Sequence, residues 1–239
     1  MRNIVLALAL LLVAGMAAAA DEALIRRAVE AKLNGTRIDG VAPAPGGWYE
    51  VRFRTPDGVR ILYTDEKATH IFSGNIFELK SDRDLTEERL RKLNAIDFKS
   101  LPLDLAVKVQ RGTGKRTVAM FSDPYCPACR NFERELQQVN DVTIYVFMFP
   151  VIRPENADHS RGVWCSEDRS KAWLDLALRG RAPSAKPTCD NPVDKVLALG
   201  RSLGVGSTPT LIMANGERFK GGMSAETLRL TLDEVAKAR

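Results

Sequence analysis

Two cysteines separated by two residues, Cys126 and Cys129, constrain the fold of this chain more than any other feature. The apolar, β-prone residues 116–121 precede them, and residues 131–139 follow them with apolar side chains at helical spacing. We therefore expect Cys126 at the N-terminus of a helix that follows a buried strand. Unpaired N–H groups and the helix dipole favour a thiolate at that position. The sequence predicts that Cys126 attacks a disulfide and that Cys129 resolves the mixed disulfide.

The same two cysteines have two other interpretations, a structural disulfide or half of a zinc site. A zinc site needs two further ligands, but the chain holds no second Cys-x-x-Cys, and its two histidines are His70 and His159. His159 follows Asp158 in a polar segment, and we expect it to be solvated in a loop. Thiol chemistry is therefore favoured over metal binding, and the sequence predicts neither a metal nor another cofactor.

The first 20 residues have the layout of an export signal. Arg2 gives a positive start, residues 4–13 are apolar and residues 17–20 are small. A membrane anchor is the alternative interpretation, but the apolar run is short for a membrane span. We expect cleavage after Ala20 and export of the mature chain.

The charge pattern excludes one class of partner. The formal net charge is +5, and the basic residues are interleaved with acidic ones along the chain. Proteins that bind nucleic acids concentrate their basic residues on one face or in a tail. The sequence therefore predicts no nucleic-acid partner.

The two remaining cysteines are Cys165 and Cys189, and an exported protein meets an oxidising compartment in which cysteines can pair. Four thiols allow three connectivities. The spacing favours closure of the Cys-x-x-Cys on itself, which leaves Cys165 with Cys189. A bridge over about 24 residues would stabilise the fold by roughly 3–4 kcal/mol in the loop-entropy model.

The first part of the mature chain, residues 21–80, predicts a small α+β domain. Residues 22–33 show helical spacing, residues 48–54 and 59–64 predict a hairpin, and residues 69–79 predict a further strand. A unit of this size has little core of its own. We expect it to pack on another surface or on a second copy of itself.

A linker over residues 81–104 is predicted to contain a helix at residues 87–98, with Thr86 as its N-cap. The last domain, residues 105–239, is predicted to run strand, helix, strand, helical insertion, strand, hairpin strand and helix. Residues 142–149 form a nearly continuous apolar run, which is typical of a buried parallel strand.

Thr208 and Pro209 stand immediately before the predicted strand at residues 210–213. A cis peptide bond there would turn the chain tightly and leave backbone groups free to receive an extended substrate. The alternative is an ordinary trans proline at the end of a glycine-rich loop. The local sequence does not choose between the two.

Taken together, residues 121–129, 163–168 and 204–210 resemble the DsbC/DsbG family of periplasmic disulfide isomerases. The resemblance implies an α+β chain with an N-terminal dimerisation domain, a helical linker and a C-terminal thioredoxin-like fold with a helical insertion. It further implies a V-shaped homodimer around an apolar cleft, with cis-Pro209 and Thr208 beside the active site. In this family reduced Cys126 would attack wrong disulfides in misoxidised or unfolded exported proteins, and a membrane-bound DsbD-type reductase would return the electrons.

The dipeptide Pro127-Ala128 differs from the Gly-Tyr of DsbC isomerases, and proline at this position also occurs in DsbG-like and DsbA-like proteins. Since this dipeptide tunes the redox potential, a dithiol oxidase is an alternative function. A holdase chaperone that binds unfolded chains in the dimer cleft is another. The pair Cys165 and Cys189 resembles the structural disulfide of DsbC, which places the chain nearer DsbC than DsbG.

Overall fold

The computed structural model describes residues 22–56 and 58–237. The predicted export signal, residues 1–20, lies outside the described residues. The chain divides into two compact units, one that ends at Leu93 and one that begins at Asn94. Each unit has its own sheet and its own core.

The first unit packs helix α1, residues 22–32, against a four-stranded antiparallel sheet. The sheet order follows the chain, β1-β2-β3-β4, and a two-stranded sheet and helix α2 come after it. The bounds of these elements are β1 Ile38–Pro43, β2 Tyr49–Thr55, β3 Gly58–Thr64, β4 Ile71–Phe72, β5 Phe77–Glu78, β6 Arg83–Asp84 and α2 Leu85–Leu93.

The core of the first unit is small. It consists of five buried apolar residues from α1 and from strands β1 to β3, namely Ile25, Val29, Ile38, Val51 and Leu62. The strand predicted over residues 69–79 is instead two separate two-residue strands in two different sheets. Strand β1 was not predicted from the sequence, because its Gly40 and Pro43 interrupt the alternation of apolar and polar residues that marks a strand.

Helix α2 begins two residues earlier than predicted and ends at Leu93 instead of residue 98. The prediction of Thr86 as its N-cap is wrong. Asp84 Oδ1 accepts the backbone N–H of Glu87 at 2.9 Å and so caps the helix. Thr86 is buried, and its hydroxyl bonds to the Tyr63 hydroxyl at 2.6 Å and accepts the Ile76 N–H at 2.9 Å. Its role is therefore to join α2 to the sheet and to the preceding turn.

The second unit is built on a five-stranded sheet with the order β11-β10-β8-β9-β7. Strands β8 and β9 pair in parallel, and the other neighbours pair antiparallel. The elements are β7 Val107–Arg111, β8 Arg116–Ser122, α3 Pro127–Leu136, β9 Val142–Met148, α4 Ala157–Cys165, α5 Arg169–Arg179, α6 Val193–Ser202, β10 Thr210–Met213, β11 Arg218–Lys220 and α7 Ala225–Lys237.

Alternation along the central strand β8 explains the layers of the second unit. Val118 and Met120 face one core, which also holds apolar side chains of α3, α4, α5 and α7. Ala119 and Phe121 face the other core, which holds Val196 of α6. Because both faces of the sheet are covered, its central strands are apolar on both sides. Strand β7 is an edge strand that the sequence prediction missed, although Val107 and Val109 alternate with polar residues.

A disulfide joins Cys165, at the end of α4, to Cys189, before α6. It therefore ties the two helices of the insertion, α4 and α5, to the segment that leads into the opposite layer. Among the described helices, none combines the length and the apolar character that crossing a membrane requires.

Candidate active site

The central strand β8 ends at Ser122, and a short turn leads from it to Cys126, the N-cap of helix α3. The backbone N–H of Cys126 donates to the carbonyl of Asp123 at 3.1 Å, which closes the turn. Pro127 is the first residue of the helix, where its missing N–H costs no hydrogen bond. The sulfur of Cys126 therefore lies at the positive end of the helix dipole, as its place in the sequence predicts.

The Cys126 thiol faces the loop that precedes β10. Its Sγ donates to the Thr208 carbonyl oxygen at 3.3 Å, and the Thr208-Pro209 peptide bond is cis. Burial opposes ionisation of this thiol, but the Thr208 hydroxyl and the backbone N–H groups of Cys129 and Ala128, which can donate to the thiolate, outweigh burial. The pKa of Cys126 is therefore lowered. The site thus brings Cys126, Cys129 and Thr208 together.

Cys129 lies deeper, within the first turn of α3, and both cysteines are free thiols. Burial raises the pKa of Cys129 to about 12. The hydroxyls of Ser122 and Thr208 oppose this shift. Both are buried without a hydrogen-bond partner among the described residues, so they are available to donate to a sulfur when it ionises. Cys126 is therefore the thiol that ionises first.

Single-thiol variants test this order of ionisation. An ordinary cysteine thiol has a pKa of about 8.5. In a Cys129→Ser variant, we expect the rate at which Cys126 reacts with iodoacetamide to reach half its maximum at a lower pH than that. In a Cys126→Ser variant, we expect Cys129 to stay unreactive until well above pH 9, because its raised pKa leaves almost no thiolate. The measurement is the rate of alkylation against pH, by mass spectrometry. Equal profiles for the two thiols would contradict the assignment.

Asp123 organises the turn before Cys126, and the sequence analysis did not identify it. Its side chain is fully buried. One carboxylate oxygen accepts the Tyr125 N–H at 2.7 Å, and the other accepts the N–H groups of Val151 and Ile152, each at 2.7 Å. One side chain therefore fixes the active-site turn and the loop after β9 together.

His159 is not solvated in a loop, so that expectation is wrong. It lies in α4, is half-buried, and its Nδ1 is hydrogen-bonded to the hydroxyl of Tyr125, the residue before Cys126. The guanidinium carbon of Arg153 lies 5.9 Å from the centre of the Tyr125 ring. Tyr125, the residue before Cys126, is therefore held by contacts with α4 and with Arg153. No sequence pattern connects residues 34 positions apart in this way.

A buried carboxyl lies one helical turn beyond Cys129. Glu133 Oε1 accepts the indole N–H of Trp173 at 2.7 Å. Burial raises the pKa of Glu133 to about 7, although the Trp173 hydrogen bond and the charge of Arg111 both lower it. Burial likewise lowers the pKa of Arg111. The Glu133 carboxyl therefore holds its proton to a higher pH than an exposed glutamate does.

The described residues contain no cluster of three or more His, Cys, Asp or Glu side chains suited to a metal ion. The chemistry that the site offers is that of its two thiols. A thiolate at a helix N-terminus attacks a disulfide, and a second thiol one turn away displaces the product.

Comparison with known proteins places this site in a family. Residues 16–87 match the disulfide bond isomerase protein N-terminal domain, and residues 103–236 match the thioredoxin-like domain. A probable thiol:disulfide interchange protein DsbC from Bordetella pertussis is 38% identical over 201 residues, which cover 84% of this chain and 70% of that protein. The chain belongs to the DsbC-like family.

Two further relatives agree with this assignment. The thiol:disulfide interchange protein DsbC of Escherichia coli K12 is 25% identical over 228 residues, which cover 92% of this chain and 91% of that protein. The chain in the crystal structure of a disulfide interchange protein from Neisseria gonorrhoeae has 40% sequence identity with this chain and superimposes with a TM-score of 0.54. The superposition covers 56% of this chain and 97% of that chain. Membership of the DsbC-like family confirms the predicted α+β fold and the predicted class, a thiol–disulfide oxidoreductase.

Proposed function

We propose that this DsbC-like chain is a periplasmic protein disulfide isomerase and reductase that acts on misoxidised exported proteins. The observation that carries the proposal is the difference between its two thiols. Cys126 is placed at a helix N-terminus with a lowered pKa, and buried Cys129 has a pKa raised to about 12. Cys126 is thus suited to attack a substrate disulfide, and Cys129 stays protonated until the mixed disulfide has formed.

The reaction begins when the Cys126 thiol loses its proton to solvent and the thiolate attacks one sulfur of a substrate disulfide. The substrate S–S bond breaks, a mixed disulfide forms, and the other substrate sulfur leaves as a thiolate. In isomerisation, a substrate thiolate attacks the substrate sulfur of the mixed disulfide and regenerates Cys126, with no net transfer of electrons. In reduction, Cys129 attacks the sulfur of Cys126 and gives its proton to the departing substrate sulfur. The mixed disulfide breaks, the Cys126–Cys129 disulfide forms, and two electrons pass to the substrate, which leaves as a thiol.

Thr208 and Pro209 are the proposed substrate-binding residues. The Thr208 carbonyl lies 3.3 Å from the sulfur of Cys126, so a polypeptide joined to that sulfur must pass this loop. Cys165 and Cys189, which form a disulfide, are proposed to have a structural role only.

The proposed domains are an N-terminal dimerisation domain at residues 21–80, a linker at 81–104 and a catalytic domain at 105–239. The match of residues 16–87 to the isomerase N-terminal domain supports a homodimer. After each round of reduction, Cys126 and Cys129 are left oxidised, and a membrane-bound DsbD-type reductase is the proposed source of the two electrons that restore them.

An isomerase assay tests the proposal directly. The full-length chain, reduced beforehand, is mixed with a multiply bridged protein whose disulfides have been scrambled, and recovery of the substrate's native activity is followed. We expect recovery well above the rate with a small dithiol at equal thiol concentration, because the small dithiol has no polypeptide-binding surface.

The redox state in the cell separates an isomerase from an oxidase. We expect alkylation of intact cells to trap Cys126 and Cys129 mainly as free thiols, since an isomerase must keep its nucleophile reduced. The measurement is the mass of the alkylated protein, with Cys165 and Cys189 as an internal control that stays bridged. A pair found mainly oxidised would favour the dithiol oxidase and count against the isomerase.

A further inference from the structure

Two apolar side chains are exposed next to the active-site turn. In the part of the second unit that the structure describes, the exposed large apolar residues are Val151, Ile152 and Leu230, with exposed fractions of 38%, 52% and 65%. Leu230 lies on the C-terminal helix α7. Val151 and Ile152 are adjacent in the loop after β9. Neighbouring apolar residues that are exposed beside an active-site turn are typical of a binding surface.

Hydrogen bonds fix this loop beside Cys126. The backbone N–H groups of Val151 and Ile152 both donate to one oxygen of Asp123, while the other oxygen accepts the N–H of Tyr125. The Asp123 carbonyl in turn accepts the N–H of Cys126. The two apolar residues and the nucleophile are therefore held by a single buried residue, and the loop is ordered before a substrate arrives.

We propose that Val151 and Ile152 are specificity-determining residues that bind an apolar side chain next to the reactive cysteine of the substrate polypeptide. This inference rests on the proposed function and extends it to the choice of substrate. A polypeptide bonded to Cys126 must place the residues that flank its own cysteine against the surface around that thiol. Because the loop is already ordered, binding an apolar group there costs little conformational entropy.

The preference suits the chemistry of misoxidised proteins. Cysteine is among the residues most often buried in folded proteins, so the residues around a native disulfide belong to the core and are commonly apolar. Such segments are exposed only while the protein is misfolded. A site that selects apolar neighbours therefore directs Cys126 towards disulfides that should be buried, and away from exposed disulfides of folded proteins.

Two model peptides test the proposal. Each has one intramolecular disulfide and a fluorophore with a quencher, and they differ only in the residue after the first cysteine, which is leucine in one and serine in the other. The full chain is reduced beforehand, and kcat/KM for reduction is measured for both. For wild type, we expect kcat/KM to be about tenfold higher for the leucine peptide than for the serine peptide. A factor of this size corresponds to burying about half of one apolar side chain. In a Val151→Ser, Ile152→Ser double variant, we expect the ratio to fall close to one.

Leu230→Ser is the control, since Leu230 is an apolar side chain of the same unit that is more exposed than Val151 or Ile152 and lies on a different element. We expect this variant to keep the tenfold ratio. A wild-type ratio near one, or a tenfold ratio retained by the loop variant, would overturn the proposal. Failure of the proposed function has a different signature, because then neither peptide is reduced.

Discussion

Replacing Cys126 by alanine is expected to abolish thiol–disulfide exchange, with a loss of roughly a thousandfold or more in the rate of substrate reduction. The remaining thiol cannot take its place. Cys129 is buried within α3, and its pKa of about 12 leaves almost no thiolate at neutral pH. The measurement is reduction of a protein disulfide by the variant, with alkylation of the unfolded variant used to show that Cys129 is still present as a thiol.

The matched variant is Cys129→Ala, which keeps the attacking thiol and loses the resolving one. We expect it to make the first attack and then to accumulate mixed disulfides with substrate proteins, visible as adducts that disappear on reduction. Its net reduction of substrate stops, whereas isomerisation continues in part because a substrate thiolate can release Cys126. If Cys126→Ala formed adducts and Cys129→Ala did not, the two roles would be reversed.

The central strands of the second unit were predictable because a continuous apolar run is a local property of the sequence. The largely apolar residues 116–121 and 142–149 predict two buried strands, and in the structure these strands form the parallel pair at the centre of the sheet. Strand Ile38–Pro43 was not predictable, because it contains glycine and proline and its pairing with β2 depends on a partner elsewhere in the chain. Strand Val107–Arg111 does show alternation, so its signal was present.

The chemistry of the site was also partly predictable. The spacing of Cys126 and Cys129 and their place after a strand are sequence properties. The contacts that position the active-site turn are long-range. Asp123 bonds to residues 28 and 29 positions away, and Tyr125 bonds to His159, 34 positions away. Such pairs depend on how β9 and α4 return to the turn, and a single sequence does not contain that information.

Burial opposes ionisation of Cys126, Cys129 and Glu133 alike, but the net shifts of their pKa values differ in direction. For Cys126, at the start of the helix, hydrogen bonds and the helix N-terminus offset the cost of burying the thiolate, so this thiol ionises readily. Cys129 and Glu133 lie deeper, and burial raises the pKa of both. Because burial favours the neutral form of Glu133, this side chain adds less negative charge to the helix that must stabilise the Cys126 thiolate than an exposed glutamate would.

Glu133 is expected to make the stability of the fold depend on pH. Its pKa is about 7 in the folded chain, against about 4.5 for an ordinary glutamate, so the folded state holds a proton that the unfolded state has lost. The stabilisation is complete below pH 4.5 and is lost as the pH rises through 7. Over this window we expect this group to lower the free energy of unfolding by on the order of 2–3 kcal/mol.

A Glu133→Gln variant isolates this effect, since glutamine can still accept the Trp173 indole N–H through its amide oxygen. We expect the variant to match wild type in urea unfolding near pH 4.5 and to be more stable at pH 8 by about 2 kcal/mol, because it avoids burying a charge. Glu226→Gln, an exposed change on α7, should alter stability little at either pH. A Glu133→Gln variant that is less stable at pH 8 would mean that the Arg111 charge outweighs burial and that Glu133 is ionised in the folded chain.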